Sequence, residues 1–261
     1  MNKDQHATLS RRHQEVLQLV ETKGQMSVGE LTRYFGVSDD TIRRDLQNLQ
    51  GRKLLLRTHG GAVSTASLVH HETPFLIRAN ANADAKSRIG RAAVQLIADG
   101  ETLIVNAGST TFAFAASLGP RRNLTLVTNN VAMLAVLPAE AIQDVYLLGG
   151  QYRMNLGSTV GSVGFSSGNI SVDTAVLGIS GLTETDGLST TFLEEASMVA
   201  RMITSARRTI VVADASKFGF NAFAHSAPLS AIDVLVTDAS PPAGLREALN
   251  QAGVEVIVAP A

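Results

Sequence analysis

The chain has 261 residues, of which 45% are hydrophobic and 17% charged, with a net charge of −1 and no cysteine. This composition predicts a globular protein of one or two domains and excludes an intrinsically disordered chain. The lack of cysteine excludes disulfides, a thiolate metal site and a cysteine nucleophile. No apolar run is long enough for a membrane span and the amino terminus lacks a signal peptide, so a cytoplasmic protein is expected.

The small net charge hides an asymmetry along the chain. Residues 1–63 carry ten Lys and Arg against seven Asp and Glu, a balance of +3. Residues 64–261 carry twelve against sixteen, a balance of −4. A basic front segment on an acidic body suggests that the front segment has a polyanionic partner.

The spacing of apolar residues predicts three short helices in the front segment. The first spans residues 10–23, and the second opens at Ser27, with Glu30 placed to complete a capping box. The third opens at Ser38 and closes at Gly51. Because so few residues separate the second helix from the third, the two must cross as in a helix-turn-helix.

The outer face of the third helix carries short polar and guanidinium side chains, which suit reading of the DNA major groove. The candidate DNA-binding residues on it are Ser38, Thr41, Arg43, Arg44 and Gln47. A strand predicted over residues 54–57 and a turn at Gly60 and Gly61 form a wing that places Arg57 and His59 near phosphates. The alternative is an ordinary three-helix bundle in which Arg44 pairs with Asp40 one turn earlier.

A linker is predicted over residues 64–71, which separates domains at 1–63 and 72–261. His70 and His71 in this linker are expected to be solvated, and neither a metal nor a cofactor is expected. In the second domain, short strands rich in Val, Ile and Leu alternate with helices, which predicts a mostly parallel α/β sheet covered on both faces. The predicted strands are 102–108, 124–128, 145–150, 174–180, 209–214, 233–238 and 254–259, and the predicted helices include 86–98, 131–137 and 192–206.

In such sheets ligands bind beyond the carboxyl ends of the strands. The first strand ends in Asn106 and Gly108, and the amides and hydroxyls of residues 109–111 open a helix, which predicts an anion site. The alternative is that Ser109 or Thr110 simply caps this helix. Lys217 follows another strand and suits phosphate binding, although a surface lysine is the commoner case.

The stretches TIRRDL (41–46) and RTHGGA (57–62), together with their separation along the chain, resemble the amino-terminal signature of the DeoR family of bacterial transcriptional regulators. The stretches NAGSTT, LVTNN, LLGG, GISG and ADASKFG resemble the remainder of that family. The resemblance implies a winged helix-turn-helix domain followed by an effector-sensing domain related in fold to ribose-5-phosphate isomerase.

The usual ligands of the family imply that a phosphorylated sugar binds this domain, with its phosphate on residues 108–111 and Lys217. The residues that would surround the sugar are Asn106, Asn129, Asn130, Gly150, Asp173, Gly181, Glu195 and Asp214. Asn106 stands where the family usually has an aspartate, and residues 198–202 (MVARM) lack a lysine that the family often carries. Fewer ionisable groups therefore remain at the sugar end.

These features together predict a repressor of a carbohydrate operon that binds double-stranded operator DNA as a homodimer or homotetramer and is released by a phosphorylated sugar. One alternative is a sugar-phosphate isomerase with a DNA-binding anchor, in which Asp214, Glu195 and Lys217 supply the base and the electrophile. Because kinship of fold does not confer chemistry, no catalytic residue is expected. The other alternative is an activator of the same architecture.

Overall fold

The computed structural model describes residues 10–23, 25–52, 54–58, 61–64, 75–161 and 170–260. The chain divides into two compact units, Met1–Glu72 and Thr73–Ala261. Of the predicted linker, Ser64 ends a strand, and residues 65–71, with His70 and His71, lie outside the described residues. Within the described ranges, no helix has both the length and the apolar character that a membrane span requires.

The front unit has the topology of a winged helix-turn-helix. Strand β3 pairs antiparallel with β1 on one side and with β2 on the other. Strand β1, between the first two helices, was not predicted. In chain order the elements are α1 (Arg11–Lys23), β1 (Gln25–Ser27), α2 (Val28–Phe35), α3 (Asp39–Gly51), β2 (Leu55–Thr58) and β3 (Gly61–Ser64).

The predicted helix starts in this unit are confirmed, because the caps form. The Ser27 hydroxyl accepts a hydrogen bond from the Glu30 amide, while the Glu30 carboxylate accepts one from the Ser27 amide at 2.7 Å. Ser38 caps α3 by accepting the Thr41 amide. Gly36 adopts a left-handed conformation with φ of 64°, which permits the tight turn from α2 to α3.

The second unit is built on a central sheet with helices on both faces. Its helices are α4 (Phe75–Asn80), α5 (Ala83–Val94), α6 (Ser109–Ala116), α7 (Leu193–Thr204) and α8 (Ala243–Gln251). The central strands are β4 (Thr102–Val105), β5 (Leu124–Thr128), β6 (Ile142–Leu147), β9 (Val172–Leu177), β12 (Ala206–Val212), β14 (Val234–Thr237) and β15 (Glu255–Val258). The shorter strands are β7 (Gln151–Arg153), β8 (Ser158–Val160), β10 (Gly181–Thr183), β11 (Gly187–Thr190) and β13 (Ala224–Ala227).

The central sheet runs in the order β15-β14-β12-β9-β4-β5-β6, and all its recorded strand pairs are parallel. Alternate side chains of β4 are buried on opposite faces. Leu103 and Val105 join the core that α5 and α6 cover, whereas Ile104 joins the core that α7 covers. The predicted α/β sheet, covered on both faces, is therefore confirmed.

Three features differ from the predicted elements. Residues 131–137 form only a short 3-10 turn, Ala132–Ala135, instead of a full helix. Strands β10, β11 and β13 form a small antiparallel sheet, and β7 pairs with β8 as a hairpin. These short strands escaped prediction because Gly, Ser and Thr give them no clear apolar alternation.

Candidate DNA-reading and anion-binding sites

Helix α3 presents its predicted reading face to solvent. Arg43, Arg44, Gln47 and Ser38 are exposed, and Thr41 is half-buried with its hydroxyl 3.0 Å from that of Ser38. Among the described residues, Arg44 makes no ion pair with Asp40, so the alternative pairing is not present. Arg57 lies in β2, but its side chain, like the whole of His59, is outside the described part of the chain.

A buried carboxylate that the sequence analysis did not single out ties this helix to α1. Asp45 accepts hydrogen bonds from Arg12 Nε at 2.6 Å and Arg12 Nη2 at 3.1 Å, and its other contact is with His13 Nε2 at 3.0 Å. Burial raises the pKa of Asp45, but the hydrogen bonds from Arg12 and His13 outweigh it, so the pKa is lowered overall. Asp45 therefore remains an ionised carboxylate, and its salt bridge fixes α3 against α1.

The amino terminus of α6 has the features of an anion site. Its N-cap residue, Gly108, makes no side-chain cap, and the first helical hydrogen bond runs from the Phe112 amide to the Gly108 carbonyl. Within the described ranges, the amides of residues 109–111 have no acceptor. The alternative, that Ser109 or Thr110 caps the helix, is not observed, and these amides remain free to bind an anion.

Three asparagines predicted to bind the ligand differ in what they can still donate. Asn106 bonds Gly178 with both ends of its amide, and Asn129 accepts from the Ala107 amide while donating to the Thr159 carbonyl. Asn130 accepts from the Met133 amide, but its buried Nδ2 has no partner in the described part of the chain. Asn106 and Asn129 therefore bond the backbone through both of their polar atoms, whereas Nδ2 of Asn130 has no partner among the described residues.

Asp214 and two lysines lie close together at the end of β12. Asp214 caps the turn Ala215–Lys217, and although burial raises its pKa, the bond from Ser216 and the charges of Lys217 and Lys86 lower it overall. Lys86, which the sequence analysis assigned only to a helix, is 5% exposed and donates to the Arg78 carbonyl at 2.6 Å. Burial lowers the pKa of Lys86, and the negative charge of Asp214 opposes this shift without outweighing it.

A second charged pair extends the same cluster. Burial raises the pKa of Glu195, which is opposed by the charge of Arg78 and by hydrogen bonds from Thr191. Burial also lowers the pKa of Arg78, although the negative charge of Glu195 opposes this shift. The Nε of Arg78 is buried and has no hydrogen-bond partner among the residues described. Arg78 was not among the predicted site residues, because α4 was not predicted.

Asp173 requires a correction. It accepts from the Thr102 amide at 3.0 Å and pairs with Arg207 at 3.2 Å, so it lies at the amino edge of the sheet. Asn106 follows the other end of the strand that Thr102 begins, roughly 13 Å away for four residues. The order of the chain already indicated this, because Asp173 precedes its predicted strand.

Two predicted ligand-binding glycines, Gly150 and Gly181, have a packing role. An added Cβ at Gly150 would meet the Val160 carbonyl oxygen, and Gly150 has a positive φ of 148°. An added Cβ at Gly181 would meet the Phe220 carbonyl oxygen. Both positions therefore need glycine whether or not a ligand binds.

A separate open cleft of about 570 Å³ lies between the small sheet and α8. Its charged lining consists of Glu184 and Asp186, with His225 beside them and no Lys or Arg. Two carboxylates disfavour a phosphate there, so this cleft does not compete with the carboxyl edge as an anion site. No group of three or more potential metal ligands occurs among the described residues.

Comparisons with known proteins cover both units. A family model described as "DeoR-like helix-turn-helix domain" matches residues 12–67, and one described as "DeoR C terminal sensor domain" matches residues 81–239. The glycerol-3-phosphate regulon repressor of Escherichia coli (strain K12) is 35% identical over 92% of this chain and 95% of its own length. The HTH-type transcriptional repressor GlcR of Bacillus subtilis (strain 168) is 32% identical over 93% of each chain.

Among solved structures, the chain is similar to ribose 5-phosphate isomerase A from Methanocaldococcus jannaschii, with a TM-score of 0.36 and 19% identity. The match covers 52% of this chain and 55% of that one. Similarity at this level carries no argument about function.

Proposed function

The chain belongs to the DeoR family of transcriptional regulators, and from this premise we propose that it represses a carbohydrate operon and leaves its operator when a phosphorylated metabolite binds the second unit. It is a DNA-binding regulator and not an enzyme, so the isomerase alternative is dropped. The relatives named as repressors favour repression over activation.

The observation that carries the effector proposal is the set of uncapped α6 amides beside a cluster of cations. Strands β4 and β12 flank β9, so their carboxyl ends lie two strand spacings, roughly 10 Å, apart. The cluster sets Arg78, Lys86 and Lys217 against Glu195 and Asp214, an excess of one positive charge. A phosphate on residues 108–111 would gain charge-assisted hydrogen bonds from the amides and attraction from Lys217.

The remainder of the effector would meet donors that have no partner in the described residues. These are Asn130 Nδ2 and Arg78 Nε, both buried. Buried donors without partners are costly, and hydroxyl oxygens of a polyol would satisfy them. Because the Escherichia coli relative is named as repressor of the glycerol-3-phosphate regulon, glycerol 3-phosphate is the first ligand to test.

In the DNA complex we assign base reading to α3 and phosphate contacts to the wing. Thr41, Arg43, Arg44 and Gln47 would face the major groove with Ser38 beside them, and Arg57 and His59 would contact the backbone. One recognition helix reads few base pairs, so we propose a homodimer or homotetramer that binds paired half-sites of double-stranded operator DNA. Release requires that the effector bind the DNA-incompetent arrangement more tightly than the competent one.

The test compares operator affinity with and without glycerol 3-phosphate, using fluorescence anisotropy on a DNA fragment selected by the protein from a random pool. The wild type should lose about 5- to 150-fold in affinity when the ligand is added. Lys217→Ala should bind DNA normally and lose this response. Arg207→Ala is the matched control, because it removes an exposed cation from the opposite edge of the sheet.

A second variant tests the helix terminus itself. An added Cβ at Gly108 would lie 3.0 Å from Thr111 Oγ1, so Gly108→Val should obstruct the amides and abolish the response while sparing DNA binding. The opposite pattern for either variant, lost DNA binding with an intact ligand response, would move the effector site elsewhere. A wild type that binds its operator but responds to no sugar phosphate would refute the effector proposal.

A further inference from the structure

Asn106 is buried between the carboxyl ends of β4 and β9, with 2% of its surface exposed. Its Nδ2 donates to the Gly178 carbonyl at 2.8 Å, and its Oδ1 accepts from the Gly178 amide at 2.8 Å. This antiparallel pair of bonds needs one donor and one acceptor on the same side chain. An amide provides both, whereas an ionised carboxylate provides acceptors only.

The two hydrogen bonds between Asn106 and Gly178 fix the position of Gly178 against the uncapped first turn of α6. Gly178 Cα lies 3.9 Å from the position of an added Cβ at Gly108, and an added Cβ at Gly178 would be 3.4 Å from Thr111 Cγ2. The Thr111 hydroxyl donates to the Asn106 and Gly108 carbonyls, at 2.8 Å and 3.0 Å. The backbone of residues 106–108, Thr111 and Gly178 thus forms one packed unit beneath the free amides.

We propose that Asn106 is a positioning residue of the effector site, whose amide locks Gly178 beneath the turn that binds the phosphate. This inference rests on the effector function proposed above. We assign Asn106 no direct contact with the ligand, because the residue is buried and both of its polar atoms bond Gly178. Its role is to hold the amides of residues 109–111 in their binding geometry before the ligand arrives, which reduces the ordering cost of binding.

Aspartate, the residue that the family usually has here, separates this role from a direct contact. In Asn106→Asp, the carboxylate would face the Gly178 carbonyl in a buried position, and both effects disfavour its charged form. Protonation would restore the missing donor. Affinity for the ligand should therefore fall at high pH and recover at low pH in this variant, whereas Asn106→Ala, which lacks both atoms, should not recover.

The experiment measures the Kd of glycerol 3-phosphate by calorimetry on the full chain at about pH 8 and about pH 5.5. At the higher pH, both variants should bind at least about tenfold more weakly than the wild type. At the lower pH, Asn106→Asp should come within about threefold of the wild type, and Asn106→Ala should not. The charged residues near the site, Arg78, Lys86, Glu195, Asp214 and Lys217, are present in all three proteins, so each variant is compared with the wild type at the same pH.

Asn250→Asp, the same change at an exposed position of α8, is the control and should bind like the wild type at both pH values. Wild-type affinity of Asn106→Asp at pH 8, or equal losses in both Asn106 variants at both pH values, would overturn the proposal. If Asn106→Asp is too unstable to assay at pH 8, the melting temperatures of this variant and of the wild type are compared at both pH values. The deficit of the variant must shrink at the lower pH, and a constant deficit overturns the proposal. A wild type that binds no ligand refutes the effector site itself.

Discussion

Arg44 is the side chain through which DNA reading can be tested most directly, since it is exposed and makes no ion pair within the described residues. Arg44→Ala should weaken operator binding by about 1–3 kcal/mol, the scale of one bidentate contact to a base. Arg246→Ala, an exposed arginine of α8, is the charge-matched control. Anisotropy titrations check both, and unchanged affinity in a folded Arg44→Ala variant would remove Arg44 from the reading surface.

At this scale the sequence predicted which side chains are exposed and where helices begin. The exposed face of α3 and a helix that begins just after Gly108 were both predicted, because caps and turns are local. Lys86 and Arg78 were not predicted, because their place beside Asp214 and Glu195 depends on how α4 and α5 pack. A lysine at the start of a helix has no local sign that it will be buried.

Among the elements, the junction of β1 with β3 depends on Gly61. An added Cβ there would meet the Met26 carbonyl oxygen and lie 2.7 Å from Ser27 Cα. Gly61→Ala should separate the two strands and lower the free energy of unfolding by about 1–3 kcal/mol. Gly29→Ala, in open space on α2, is the control and should stabilise by up to about 1 kcal/mol.

Urea unfolding followed by circular dichroism measures both glycine variants, and operator titration then shows whether the wing has lost its function. Equal stability of Gly61→Ala and Gly29→Ala would mean that the strand junction tolerates a side chain. The operator titration distinguishes a local change in the wing from a general loss of fold, because Gly29→Ala should bind DNA like the wild type.

Helices and strands were predictable where a segment of the chain is apolar and long enough to show a clear pattern. Strands β4, β5 and β14 consist mostly of Val, Ile and Leu, and they lie close to their predicted positions. The helix expected at residues 131–137 is only a 3-10 turn, Ala132–Ala135. Asn130 accepts from the Met133 amide in this turn, a tertiary detail that periodicity does not encode.

For the whole molecule, assembly is the property that paired half-sites require. Light scattering should show at least a dimer at micromolar concentration, and removal of one half-site should weaken binding to the DNA fragment. The Arg44→Ala variant should assemble like the wild type, since it alters only the DNA-reading face. A monomer that binds its operator with full affinity would contradict this prediction.

The sequence predicts a linker over residues 64–71, and the structure divides the chain into two compact units between Glu72 and Thr73. Each unit contains its own apolar core, one centred on Leu31 and Ile42 and the other on the faces of the central sheet. Independent cores leave separate apolar patterns in the sequence.

The salt bridge at Asp45 has a consequence for where the chain can be shortened. Its partners, Arg12 and His13, lie in the first turn of α1. A version that begins at Ser10 keeps them, whereas one that begins at Gln14 leaves a buried carboxylate unpaired, which costs more than the pair itself contributes. Removal of the first 13 residues should thus weaken operator binding without altering any residue of the reading face.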